Sequence, residues 1–137
     1  MIRYAKKDDA GILEKYDVHI AKDELEKSID SDRVIVMFDD EENFVGWLRY
    51  NLFWDNTPFM NMLYFLEEYR GRGYGSKLVS FWENEMKNKG YKLVLTSTQS
   101  NEDAQFFYRK IGYIDNGSFQ LPDEPVELIL YKCLWGE

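Results

Sequence analysis

At 137 residues, 45% of them hydrophobic and 17% aromatic, the chain has the length of one domain and enough apolar side chains to fill a single core. It holds no apolar run of the about 18 residues that a membrane-spanning helix needs, and the N-terminal MIRYAKKDDAG lacks the apolar stretch of a signal peptide, so the expected location is the cytoplasm. A net charge of −8 argues against general affinity for nucleic acid, because phosphate contacts need clustered Lys and Arg, and it suits a cationic small partner.

In chain order, Asp8 or Asp9 is placed to cap a helix in which Ile12, Leu13, Tyr16 and Ile20 share one face. A short second helix follows through Leu25 and Ile29. Val34 to Phe38 and Phe44 to Trp54 are rich in β-formers and flank the polar turn Asp39-Asp40-Glu41-Glu42, which predicts a hairpin. Asn56-Thr57-Pro58 signals another turn, and Phe59 to Leu66 is a third strand, completing an antiparallel meander. Leu78, Val79, Trp82 and Met86 then recur at helical spacing, with Gly90 where a C-terminal cap belongs. Tyr91 to Thr96 reads as a short buried strand. Asn101 is placed to cap a helix with Ala104, Phe107, Tyr108 and Ile111 on its inner face, and Gly112 ends it. Asn116-Gly117 marks a turn before a last strand, Val126 to Leu134. The lone Cys133 in that strand has no partner for a disulfide or a metal site and is expected to be a buried, inert thiol. The order β-α-α-β-β-β-α-β-α-β-β describes an α+β protein with a mixed central sheet.

The stretch LEEYRGRGYGSKL, Leu66 to Leu78, is unusual: three glycines and two arginines fall within six residues, between a strand and a helix. A connecting turn needs one or two glycines. Here the bare amides of Gly71, Gly73 and Gly75 and the first helical turn form a concavity suited to an anion, with Arg70 and Arg72 adding charge. The spacing is neither that of a P-loop, because Lys77 follows Ser76 instead of preceding it, nor that of a dinucleotide fingerprint, because the sixth residue from Gly71 is Ser76.

What fits is Arg/Gln-x-x-Gly-x-Gly, filled by Arg70, Gly73 and Gly75. With it the sequence resembles the GNAT superfamily of acyl-CoA-dependent N-acetyltransferases. Leu63-Tyr64-Phe65-Leu66 leads into the loop as that family's fourth strand does, and NEDAQFFYRKIGY, Asn101 to Tyr113, is similar to the family's second signature. Order and spacing match from about Phe59 to Gly117. The resemblance implies a single GNAT-like acetyltransferase domain over 1–137, with a mostly antiparallel central sheet flanked by helices and splayed fourth and fifth strands.

It also implies acetyl-CoA as donor, with no metal. Phe65 and Leu66 would offer backbone groups to the pantetheine arm. Arg70, Gly71, Arg72, Gly73, Tyr74, Gly75 and Ser76 would hold the pyrophosphate, and Asn101 would reach the pantetheine. In the family the acceptor amine attacks the thioester directly, and Tyr108 matches the position that supplies a hydrogen bond or proton to the leaving thiolate. A backbone N–H from Phe65 or Leu66 would serve the oxyanion. No carboxylate occupies the strand FMNMLYFL, so the base is open among Asp55, Glu67, Glu68, His19 and a water relay. Trp54, Asp55 and Tyr64, in an aromatic set with Tyr16, Tyr50 and Phe53, are the expected contacts of a cationic amine acceptor on a small molecule or peptide. A CoA sensor without turnover and a module binding some other anion are the alternative readings. Homodimers are frequent in the family, but no segment here carries an interface signature.

Overall fold

The alternation of β-formers, polar turns and helical spacings resolves, in the computed structural model of residues 1–135, into the order expected from the sequence. The elements are β1 (Ile2–Tyr4), a 3-10 turn (Lys7–Asp9), α1 (Ala10–Tyr16), α2 (Lys22–Asp30), β2 (Val34–Phe38), β3 (Phe44–Phe53), β4 (Thr57–Phe65), a second 3-10 turn (Glu67–Tyr69), α3 (Tyr74–Asn88), β5 (Leu93–Gln99), α4 (Ala104–Lys110), β6 (Ile114–Phe119) and β7 (Glu127–Cys133). The strands form one seven-stranded sheet in the order β1-β2-β3-β4-β5-β7-β6. β1–β2, β2–β3, β5–β7 and β6–β7 pair antiparallel, and β4–β5 pair parallel. The result is a mixed, mostly antiparallel α+β fold. Among the described residues no helix is long and apolar enough to cross a membrane.

The chain divides into two compact units: Met1–Asn51 with Met62–Trp82, and Leu52–Asn61 with the chain from Glu83 onward. In the first, Val34, Ile35, Val36 and Met37 are all buried, so both faces of β2 are covered, as a continuous apolar run requires. Leu13, Leu25, Ile29, Phe44 and Trp47 pack with Val34 and Val36. A buried ion pair fastens the end of α1 to β3: Arg49 donates from Nε and Nη2 to Asp17 at 2.8 and 3.2 Å, and Trp47 Nε1 donates to the same carboxylate at 3.1 Å. Asp9 does not cap α1 with its side chain. It accepts instead from the Lys6 amide at 2.7 Å and from Arg3 at 2.8 and 3.1 Å.

In the second unit, Met60, Val94, Leu95, Tyr108, Tyr113 and Leu130 are buried. β7 runs back beside β5 over seven pairs, from Leu93↔Cys133 to Gln99↔Glu127. Glu83 ties three segments together, accepting from the Tyr113 hydroxyl at 2.8 Å and from Lys132 Nζ at 3.0 Å.

Four local expectations change here. Asn101 does not cap α4, which starts three residues later. Glu102 folds back on the preceding turn, accepting from the Gln99 amide at 3.0 Å and the Thr98 hydroxyl at 3.1 Å, so Asn101 lies within that turn. Asn116-Gly117 is not a hairpin tip but the irregular step inside β6, where the register shifts between Asp115 and Ser118 and Gly117 takes φ +111°. On α4, Ala104 is exposed and Phe107 half-buried, while Tyr108 is buried, so the phenol and not its apolar neighbour fills the inner face. Cys133 is exposed, because it lies three residues from buried Leu130 and therefore on the opposite face of β7.

Candidate functional site: the glycine loop and buried Tyr108

The loop at Arg70–Gly73 is shaped by its glycines. Gly71 and Gly73 have φ of +76° and +83°, torsions that cost a residue with a Cβ roughly 1–2 kcal/mol. A Cβ at either position would meet nothing within 4 Å, so torsion alone demands glycine and the surroundings are open. α3 begins at Tyr74, so the amides of Tyr74, Gly75 and Ser76 lie in its first turn without intrahelical acceptors, at the positive end of the helix dipole. Gly75 is thus a helical residue. The open turn and these donors fit a pyrophosphate.

The upstream wall is backbone held in fixed directions. The Leu66 amide donates to the Val45 carbonyl at 2.9 Å, and the Leu66 carbonyl accepts from the Tyr69 amide at 2.9 Å. Of the two amides expected to face an oxyanion, that of Leu66 is thus already committed to Val45. The Phe65 carbonyl accepts from Arg70 Nε at 2.9 Å, and the Arg70 guanidinium lies 5.0 Å from the centre of the Tyr64 ring. Close approach of this wall to β3 explains Gly46, where a Cβ would collide with the Tyr64 carbonyl and the Phe65 ring.

Sequence reasoning passed over Asp39 and Tyr69. The Tyr69 hydroxyl donates to Asp39 Oδ2 at 2.9 Å across thirty residues of chain. The bond from the Asn43 amide, ahead of those from Tyr69, the Asn43 side chain and the Glu41 amide, holds the Asp39 carboxyl below its ordinary range. Arg72 lies over the Tyr69 ring at 5.7 Å, and Lys77 over Tyr74 at 5.8 Å. No local pattern marks such a pairing, since an aspartate in a turn is ordinarily just a turn former.

In the second unit, Tyr108 is 6% exposed. Burial pushes its phenol up to about 12, with a hydrogen-bond contact to Thr96 working against the rise and the Glu102 carboxylate adding to it. The Thr96 hydroxyl also donates to the Met60 carbonyl at 3.1 Å, beside the parallel pairs Phe59↔Leu95 and Met60↔Thr96. Tyr108 meets the Tyr113 ring edge-on at 5.6 Å. The phenol is therefore neutral and a hydrogen-bond donor at any ordinary pH.

The other named residues are exposed, all but Tyr64 of β4 on turns or loops. Trp54, 78% exposed, and Asp55 have φ of +56° and +64° at the tip of the β3–β4 hairpin, so they precede the strand that Phe65 ends. Tyr64 is half-exposed, with its ring against Trp47 at 5.1 Å and under Arg70. His19, Glu67, Glu68 and Asn101 are exposed. A surface hollow of about 310 Å³ is lined by Lys7, Ala10, Glu26, Ile29 and Asp30, none of which belongs to the loop. Among the described residues no cluster of His, Cys, Asp or Glu could hold a metal ion.

N-alpha-acetyltransferase 30 of Schizosaccharomyces pombe is 38% identical over 56 residues, 40% of this chain, and the match takes in 37% of that relative's length. The acetyltransferase of the GNAT family from Bacillus cereus ATCC 10987 superposes with a TM-score of 0.80 at 25% identity, over 97% of this chain and 96% of that one. The structure of yncA from Salmonella typhimurium with its cofactor acetyl-CoA superposes with a TM-score of 0.83 at 14% identity, over 100% and 95%, a likeness of fold. The family model described as the acetyltransferase (GNAT) family matches residues 4–113, which takes in the glycine loop and Tyr108 alike, and the chain belongs to that family.

Proposed function

We propose that this chain is an N-acetyltransferase that moves an acetyl group from acetyl-CoA to a primary amine of a small molecule or peptide by direct attack. The observation that carries the reading is the loop itself: two glycines at positive φ in open surroundings, running into the first turn of α3. Such a turn stabilises a pyrophosphate through amide donors and the helix dipole. The name of the fission yeast relative and the acetyl-CoA bound to yncA support the same acyl donor and acceptor class.

In this reading the amides of Gly71 to Ser76 hold the pyrophosphate, with Arg70 and Arg72 adding charge. The neutral amine attacks the thioester carbonyl, a C–N bond forms, and the Phe65 amide donates a hydrogen bond to the oxyanion. Collapse breaks the C–S bond, and the amine's extra proton leaves to water or to an exposed carboxylate. Tyr108 hydrogen-bonds the departing sulfur. A phenol at about 12 would give a proton to a thiolate of ordinary pKa, about 8.5, uphill by roughly 5 kcal/mol, so stabilisation and not complete transfer is its role. Trp54, Asp55 and Tyr64 are the proposed contacts for the acceptor, and their aromatic and acidic chemistry suits a cationic one.

Release of free CoA thiol from acetyl-CoA across polyamines, aminoglycosides, amino acids and short peptides tests this. Release that depends on one amine class identifies enzyme and acceptor together. CoA binding without release to any amine favours the sensor reading, which the lack of a carboxylate in β4 already motivates. No shift of the melting temperature with saturating CoA sinks both readings, since a ligand at 100 times its Kd should add about 2.7 kcal/mol.

A further inference from the structure

The loop that the proposed function depends on is poorly supported by its own packing. Arg70, Gly71, Arg72 and Gly73 are all exposed, and no neighbour approaches the two positive-φ glycines. A glycine-rich segment of this kind loses more conformational freedom on ordering than any other sequence. Its amides converge on one anion only if both ends are fixed. The downstream end is fixed by α3, whose Leu78, Val79 and Trp82 are buried. Upstream, Leu66 packs against the core cluster, but Glu67 and Glu68 are exposed and Tyr69 is half-buried, so the stretch that joins Leu66 to the loop has no buried side chain of its own.

We propose that Asp39 and Tyr69 form a brace that positions the glycine loop for the donor's pyrophosphate. This rests on the reading that the loop binds CoA. Asp39 suits the task because the β2–β3 turn immobilises it: Oδ1 accepts from the Glu41 amide at 2.9 Å and the Asn43 amide at 2.8 Å, while Oδ2 accepts from Asn43 Nδ2 at 3.2 Å and from the Tyr69 hydroxyl at 2.9 Å. The turn is closed by backbone bonds, from the Asp39 amide to the Asn43 carbonyl at 2.9 Å and from the Glu42 amide to the Asp39 carbonyl at 3.0 Å. It joins two strands with buried cores, so the carboxylate inherits the rigidity of the sheet. Tyr69 passes that rigidity on, because Arg70 follows it directly, Arg72 lies over its ring, and its ring meets Tyr74 of α3 at 6.3 Å. Neither residue belongs to the glycine motif, and both act through the loop, as positioning residues.

The sign of the effect separates a brace from a bystander. A carboxylate near an anion site repels the anion, so removing a mere bystander should tighten CoA binding. Removing a brace should weaken it, because the competent loop is then a smaller share of the population. The expected result is a Kd for CoA raised about three- to tenfold in both Tyr69→Phe and Asp39→Ala, the range one net hydrogen bond provides. Asp39→Asn, which keeps an acceptor oxygen, should fall closer to wild type. The double variant should be no worse than the worse single one. In turnover the loss should fall in KM for acetyl-CoA more than in kcat.

Because Asp39→Ala also loosens the turn, Tyr69→Phe is the decisive variant: it keeps the ring under Arg72 and removes only the hydroxyl. Hydrogen exchange of the amides at 70–76 in ligand-free protein reads the brace without CoA and should quicken in Tyr69→Phe. Unchanged exchange, or an unchanged or tighter CoA Kd, overturns the brace. A wild-type protein that binds no CoA overturns the functional reading, and exchange still decides whether the brace exists.

Discussion

The glycine loop and the buried Tyr108 present their polar groups in opposite ways. The loop offers main-chain donors at an exposed turn shaped by its two positive-φ glycines, between a tyrosine bonded to Asp39 and the buried side of α3. Tyr108, a residue that is 6% exposed, offers one side-chain hydroxyl that holds its proton because burial disfavours the phenolate. A backbone site tolerates side-chain change but not torsional change. A buried hydroxyl tolerates neither loss nor ionisation.

The largest expected effect breaks the scaffold on which the loop draws. Asp17→Ala leaves Arg49, whose side chain is 9% exposed, buried without its carboxylate, and removing one partner of a buried pair costs about 3–5 kcal/mol. Urea unfolding should show that loss. A cost below about 1 kcal/mol would mean that water reaches Arg49.

Next comes Tyr108. Tyr108→Phe should lower turnover by about 10²-fold, roughly 2.7 kcal/mol, with CoA affinity retained. Since the phenol lies at about 12, the pH profile of the wild-type protein should show no step from this residue up to about pH 11. Unchanged turnover in the variant would remove Tyr108 from the mechanism and leave it a core residue.

Gly73→Ala sharpens the contrast from the other side. The added Cβ meets nothing, so the cost is torsional, about 1–2 kcal/mol, and it should appear as CoA affinity weaker by about five- to thirtyfold. The melting temperature should move little. If stability fell while CoA affinity held, the loop would be structural.

The smallest effect concerns acid. Burial by itself would raise the Asp9 carboxyl, but the bonds from Arg3 and the Lys6 amide outweigh it and the net shift is downward. A depressed carboxylate adds stability that is present above its unfolded pKa, near 3.8, and is lost as pH falls through the lower folded value. Acid unfolding monitored below about pH 4 should therefore be shallower in Asp9→Asn than in wild type. Equal slopes would mean that the ion pair with Arg3 adds nothing.

Much of this was legible along the chain, because its causes are local. Helical recurrence of Leu78, Val79, Trp82 and Met86 set α3, β-formers on either side of Asp39-Asp40-Glu41-Glu42 set the first hairpin, and glycine spacing set the loop. Errors arose where a neighbour three or four residues away competes with a more distant one. Asn101 had the right chemistry to cap a helix, but Glu102 claimed the turn first. Ala104 and Phe107 share the helical spacing of Tyr108, but the orientation of α4 leaves Ala104 exposed and Phe107 half-buried and puts Tyr108 inside.

By itself, then, the sequence determined the element order, the two motifs and the family they belong to, since each depends on spacings within a few turns of chain. Tertiary structure alone decided that β7 runs between β5 and β6, that Cys133 is exposed, that Asp17 meets Arg49 and that Asp39 holds Tyr69. The Asp17–Arg49 and Asp39–Tyr69 contacts join residues thirty or more apart. They exist only once the sheet has fixed which strands are neighbours and which faces are buried, and no periodicity in the chain encodes that.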